Sequence, residues 1–168
     1  RLAATSVGRT AGIVPRLSYT QFQARVPLRN YEQLAPFITR MQQGEADVLW
    51  PGTCALFART PGTDSGQPKH LPVTDELLAH FRRAGAEAIF CYTARTGDTG
   101  IFRGRHLLVG SSAALTPLVK TSSFSAYVGD LSGIATLNLP DWAERHLFEP
   151  GAAVAQIPDW PRRLAALV

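Results

Sequence analysis

The reading of this chain turns on Phe57-Ala58-Arg59-Thr60-Pro61-Gly62-Thr63-Asp64-Ser65-Gly66-Gln67-Pro68-Lys69. An apolar segment runs into small, hydroxylated and glycine residues and closes on a lysine. Lys69 and Lys120 are the only lysines among many arginines, so a lysine at this place is more than composition. Glycines let backbone N–H groups converge on an anion, hydroxyls add donors, and a lysine contributes a mobile point charge suited to phosphate. Gly62 and Gly66 do not have Walker A spacing, no Gly-Lys-Ser/Thr follows, and no Gly-x-Gly-x-x-Gly fingerprint is present. Two readings stand: a phosphate cradle, or an exposed turn of the kind that Pro-Gly and Ser-Gly mark anywhere.

Outward from the loop, periodicity sets the elements. Upstream, Asn30 and Gln33 have the spacing of a capping box, and Pro36 predicts two short helical pieces with Phe37, Ile38 and Met41 as the apolar face and Gly44 as the stop. Val48-Leu49-Trp50 and Ala55-Leu56-Phe57 are short apolar runs fit for buried strands. Downstream, Thr74 with Asp75 and Glu76 opens the clearest helix, with Leu77, Leu78, Phe81, Ala84, Ala88 and Ile89 along one face. Arg105 to Gly110 predicts a strand, Pro140 or Asp141 a short helix through His146, and Asp159-Trp160-Pro161 a further helix start. Strands alternating with helices predict an α/β layer structure with a partly parallel sheet. A strand ending at Phe57, a glycine-rich turn and a helix from about Thr74 would put backbone donors at a strand end, where α/β folds place ligands.

Composition narrows the function classes. The formal charge of +4 raises nucleic acid as a partner, but the arginines are scattered singly or in pairs, with no basic run and no aromatic interleaving, so no nucleic-acid role is expected. No apolar run approaches the ~20 residues of a membrane helix, and no signal peptide is visible. Cys54 and Cys91 are isolated and predicted to be buried thiols in a reducing compartment, so a cytoplasmic location is expected. His70, His80, His106 and His146 lack metal-ligand spacing, and no metal site is predicted on them. Trp142 and Trp160 follow aspartates and are expected as core anchors beside helix caps. Asp130 is a catalytic carboxylate or, as more often after glycine, a turn or helix cap. Asp98 is read as a loop residue. Spacing identifies no catalytic triad.

The residues around the loop also carry a family resemblance. Val26-Pro27-Leu28-Arg29-Asn30-Tyr31-Glu32-Gln33-Leu34-Ala35-Pro36-Phe37-Ile38 precedes Gly44-Glu45-Ala46-Asp47-Val48-Leu49-Trp50-Pro51-Gly52. Leu71-Pro72-Val73-Thr74, His106-Leu107-Leu108-Val109-Gly110-Ser111-Ser112, Tyr127-Val128-Gly129-Asp130-Leu131-Ser132 and Asn138-Leu139-Pro140-Asp141-Trp142-Ala143 follow in order. This series resembles the N-terminal portion of the auxin-responsive-promoter family of acyl-acid amido synthetases, in the adenylate-forming superfamily of acyl-CoA synthetases and luciferase. The resemblance runs from about Thr5 to the end of the chain.

It implies an α/β fold that is an incomplete N-terminal part of the adenylate-forming large domain, with a mixed or partly parallel sheet flanked by helices. Residues 1–168 would be a single partial domain, the rest of the enzyme lying beyond Val168, and this chain alone would be inactive. The implied parent is an ATP-dependent ligase that activates a carboxylic acid as acyl-adenylate and conjugates it to an amino acid or other amine, with Mg²⁺ accompanying ATP. Thr60, Gly62, Thr63, Ser65 and Gly66 would line the phosphates, and Lys69 would steer or pair with them. Asp64 would point away or help hold the metal. Phe124 and Tyr127 fall where relatives line the acyl pocket, and core packing is an equal reading for both. The family usually has two serines before its Gly-Thr pair, where this chain has Thr60 and Pro61, so one hydroxyl and one N–H donor are lost. A diverged, non-catalytic binding module of the same fold is the alternative.

Overall fold

The computed structural model describes residues Arg1–Thr60 and Pro68–Leu167. In chain order the elements are α1 (Ser6–Thr10), α2 (Tyr19–Arg25), α3 (Tyr31–Gln42), β1 (Leu56–Thr60), β2 (Lys69–Val73), α4 (Asp75–Thr96) and β3 (His106–Leu107). Then come β4 (Thr116–Lys120), β5 (Ser125–Gly129), α5 (Leu131–Leu137), α6 (Asp141–Leu147), β6 (Phe148–Glu149), α7 (Ala152–Ala155) and α8 (Trp160–Ala165). Two compact units form, one from Arg1–Thr74 with Pro117–Val128, the other from Asp75–Thr116 with Gly129–Val168.

In the first unit, α3 begins where the sequence places it. The Asn30 side chain accepts from the Gln33 N–H and the Gln33 side chain from the Asn30 N–H, each at 3.0 Å, completing the capping box. The expected break at Pro36 does not occur, and α3 runs unbroken from Tyr31 to Gln42. Proline removes one bond to the Glu32 carbonyl. Pro36 and Glu32 are both exposed, so water can serve that carbonyl while buried Ile38 and Met41 hold the opposite face. The helix ends at Gly44, whose φ of +89° suits glycine.

Val48–Trp50 is a bend rather than the expected strand. Asp47 has a φ of +56°, and it closes a tight loop on Gly52. Its N–H donates to the Gly52 carbonyl at 3.0 Å, and its carboxylate accepts from the Gly52 N–H at 2.8 Å. The backbone therefore turns, and Val48 reaches the core as a loop residue.

The sheet order is β2-β1-β5-β4. β1 and β2 are antiparallel, in register from Leu56↔Val73 to Thr60↔Lys69. Only Thr121 to Phe124 separates β4 from β5, a link that short joins only antiparallel neighbours, and the Thr121 N–H donates to the Phe124 carbonyl across it at 2.8 Å. Ile38, Met41, Val48, Cys54, Phe57, Ala126 and Val128 make the core of this unit. Here the loop departs from the strand-turn-helix expected for it: it connects two antiparallel strands, and α4 starts only after β2. Pro72 inside β2 is accommodated because β2 lies at the sheet edge, where a missing N–H breaks no ladder.

The second unit opens with α4, whose first-turn Asp75 and Glu76 complement the helix dipole. Of its predicted apolar stripe only Leu78 is buried. β3 and β6 pair in parallel, so the fold is mixed α/β with a partly parallel sheet flanked by helices. The strand expected over Arg105–Gly110 contracts to His106–Leu107. Asp159 caps α8 as predicted, accepting from the Arg162 N–H at 3.0 Å. Trp142 and Trp160 are not core anchors: they are 60% and 44% exposed, and the Arg163 guanidinium lies 4.7 Å from the Trp160 ring centroid. Cys54 is buried as expected, whereas Cys91 is exposed on α4. No helix among the described residues is long and apolar enough to cross a membrane.

Candidate functional site

The β1/β2 pairing sets the base of the candidate phosphate loop. Thr60 and Lys69 are directly opposed in the register, and the Thr60 hydroxyl lies 3.5 Å from the Lys69 carbonyl, the long limit of a hydrogen bond. The two ends of the loop are thereby brought together. Gly62, Thr63, Asp64, Ser65 and Gly66 lie outside the described residues, as does Pro61.

Helix α3 covers the free edge of β2 at this point. The Tyr31 hydroxyl accepts from the His70 N–H at 2.9 Å and donates to the His70 carbonyl at 3.4 Å. An edge strand leaves such groups without ladder partners, and a side chain that takes them also blocks pairing with another strand. The Lys69 ammonium stands 3.7 Å from a Glu32 carboxylate oxygen and 5.2 Å from the centroid of the Tyr31 ring, within cation–π range. Two consecutive residues of one helix thus hold two consecutive residues of the strand.

His70 is drawn in from a third point on α3. The Gln42 amide nitrogen lies 2.8 Å from Nδ1. An amide NH₂ only donates, so Nδ1 is the lone-pair nitrogen. Burial, and next the positive charge of Arg59, hold the imidazole below its ordinary range, which favours the same neutral form. Arg59 faces His70 across the register. Nothing local in the sequence marks Tyr31, Glu32 or Gln42 as neighbours of the loop. The chain separation between Tyr31 and His70 explains why sequence reasoning missed them.

Phe124 and Tyr127 belong to the core side and the sheet of the first unit. Phe124 packs against the core of the first unit and over Gly44, where an added Cβ would stand 2.8 Å from its ring. Tyr127 sits in β5 between buried Ala126 and Val128, its N–H donating to the Ala55 carbonyl at 2.8 Å. Asp130 is the N-cap residue of α5.

The second unit contains a feature that no sequence signal announced, an apolar cavity of about 370 Å³. Leu78 and Phe81 of α4, Leu108, Ala135 of α5 and Phe148 of β6 form much of its wall. Arg82, also lining it, donates to the Asn138 carbonyl at 3.2 Å. Its size and lining are those of a small-molecule pocket. Its wall comes from segments far apart in the chain, so no motif could reveal it.

A sequence model of the GH3 family N-terminal domain matches residues 1–144. The jasmonoyl–L-amino acid synthetase JAR6 of Nicotiana attenuata is 26% identical over 130 residues, which is 76% of this chain and 20% of that protein. The indole-3-acetic acid-amido synthetase GH3.17 of Arabidopsis thaliana is 36% identical over 58 residues, 34% of this chain and 10% of that protein. Among solved structures, GH3.15 acyl acid amido synthetase superposes with a TM-score of 0.70 at 20% identity, covering 98% of this chain and 28% of its own. A structure of AtGH3.15 in complex with 2,4-DB gives 0.63 at 21% identity, over 90% and 25% respectively. These superpositions establish the fold. The match to the first curated relative spans a fifth of that protein's length.

Proposed function

Because the chain belongs to the GH3 family, we propose that the whole protein is an ATP-dependent ligase that adenylates a carboxylic acid and passes the acyl group to an amino acid. The observation that carries this reading is the family match over residues 1–144, with relatives that are named for joining acids to amino acids. In the reaction, a carboxylate oxygen attacks the α-phosphorus and pyrophosphate leaves. The amine then attacks the acyl carbonyl and AMP leaves. Both steps demand chiefly positioning and neutralisation of developing charge.

The residues of the β1/β2 hairpin fit the phosphate part of that task. Lys69 and Thr60 bring an ammonium and a hydroxyl to the two ends of a loop whose Gly62, Thr63, Ser65 and Gly66 supply further donors by residue type. Tyr31 fixes the strand on which Lys69 stands. Mg²⁺ characteristically keeps several waters and rides on substrate phosphates with one or two carboxylates, so the protein needs no dedicated cage. Asp64 is the loop's own carboxylate by sequence. Bound there, the ion would neutralise phosphate charge. The apolar cavity of the second unit suits the hydrocarbon part of a small acid.

The test is acid-dependent pyrophosphate release from ATP by the full-length protein. Lys69→Ala is expected to cost the roughly 1.5–3 kcal/mol of a charge-assisted hydrogen bond, or about ten- to a hundredfold in ATP affinity or adenylation rate. No release with any member of a broad acid panel would overturn the ligase reading. Unchanged kinetics in Lys69→Ala would remove Lys69 from the site.

A further inference from the structure

We infer that Glu32 is a positioning residue for Lys69: it is the resting counter-ion from which the ammonium is released to an incoming phosphate. This rests on the reading of Lys69 as a phosphate contact and adds to it the residue that sets how readily that contact forms. Three contacts support this. The Glu32 carboxylate stands 3.7 Å from the Lys69 ammonium, with the two side chains 65% and 31% exposed. The ammonium is also over the Tyr31 ring, so the lysine is steered by two neighbouring residues of α3. Tyr31 clamps the backbone of His70, so the strand beneath Lys69 is held while only the side chain is left to exchange partners.

The direction of the effect follows from charge. An exposed ion pair is weak and separates at small cost, so a polyphosphate can take the ammonium from Glu32. Separation nevertheless subtracts from phosphate affinity, because the ammonium gives up its pairing with Glu32 before it takes the anion. Glu32 therefore tempers ATP affinity through Lys69. A merely structural Glu32 would act the other way. As an acidic residue in the first turn of α3 it stabilises the helix, and its loss would lower stability with no gain in binding.

The experiment is a double-mutant cycle on the full-length protein with Mg·ATP as the probe, read by calorimetric Kd and by the split between KM for ATP and kcat of pyrophosphate release. Glu32→Gln is expected to tighten ATP binding about two- to fivefold, the range of a surface ion pair, with kcat unchanged. In a Lys69→Met background the same substitution is expected to change nothing. Equal or weaker binding in Glu32→Gln, while Lys69→Met alone weakens it, would overturn the inference and leave the phosphate role of Lys69 standing. An undiminished gain in the Lys69→Met background would overturn it too, because Glu32 would then act without Lys69. No effect of Lys69→Met would remove the phosphate role itself and the inference with it.

Discussion

Replacing Tyr31 by phenylalanine removes one oxygen and isolates one structural claim, that this hydroxyl completes the edge of β2. The ring stays, so the packing of α3 and the aromatic face under Lys69 are retained. What is lost is the 2.9 Å bond from the His70 N–H and the longer 3.4 Å bond to its carbonyl. A neutral hydrogen bond is worth about 0.5–1.5 kcal/mol net, and an unsatisfied buried donor costs about 1–3 kcal/mol. Tyr31 and His70 are half-buried rather than sealed, so water can partly replace the hydroxyl. The expected loss is about 1–2 kcal/mol, or ~2–8 °C in Tm for a chain of this size. Thermal and urea unfolding give the magnitude, and amide hydrogen exchange gives the place, with His70 losing protection ahead of the buried strand β1. A Tyr31→Phe protein with wild-type Tm and an equally protected His70 amide would refute the claim that Tyr31 holds the strand.

Two further outcomes follow from the same unit. His70 is held below its ordinary pKa of 6.5 by burial and by Arg59, so the unfolded chain binds its proton more readily than the folded one. Its contribution to stability is therefore full above about pH 6.5 and is lost as pH falls from there through the folded-state value; urea midpoints across pH 4–8 measure it, and His70→Gln should flatten that part of the profile. Gly44→Ala forces a side chain into a φ of +89° and sets its Cβ 2.8 Å from the Phe124 ring. A loss of roughly 1–3 kcal/mol is expected from the backbone alone, and an unchanged urea midpoint would contradict the close approach of Phe124.

The legible parts of the fold were those governed by neighbours in sequence. The caps at Asn30 and Asp159 depend on residues three places away, and both form as the spacing predicts. So does the start of α4 beside Thr74. Pro36 does not break α3 because the rule against helix-interior proline weighs one hydrogen bond, whereas buried Ile38 and Met41 decide the continuity of the helix. Lys69–Val73 hid its strand character behind Pro72, which only the edge position of β2 makes harmless. Trp142 and Trp160, expected as core anchors from their place after an aspartate beside a helix cap, are not enclosed. Of the candidate site, the chain marked the loop and its lysine. The cluster of Tyr31, Glu32, Gln42 and His70 depends on the folding of α3 onto β2, and the cavity on packing among distant segments, neither of which has a local signature.

Anchoring the loop in a hairpin separates what is held in shape from what is free to change in chemistry. Thr60 and Lys69 are fixed by strand register and by α3, so the segment from Pro61 to Pro68 can be rewritten without moving the residues at either end. Loop-closure entropy rises slowly with length, by about 0.6 kcal/mol per doubling, so even insertions there disturb the anchors little. Pro61, where the resembled family usually has a serine, is a change of this kind. It removes a hydroxyl and an N–H from the segment while Lys69 stays in register with Thr60. A hairpin of this design keeps the geometry of its two anchors independent of the chemistry carried between them.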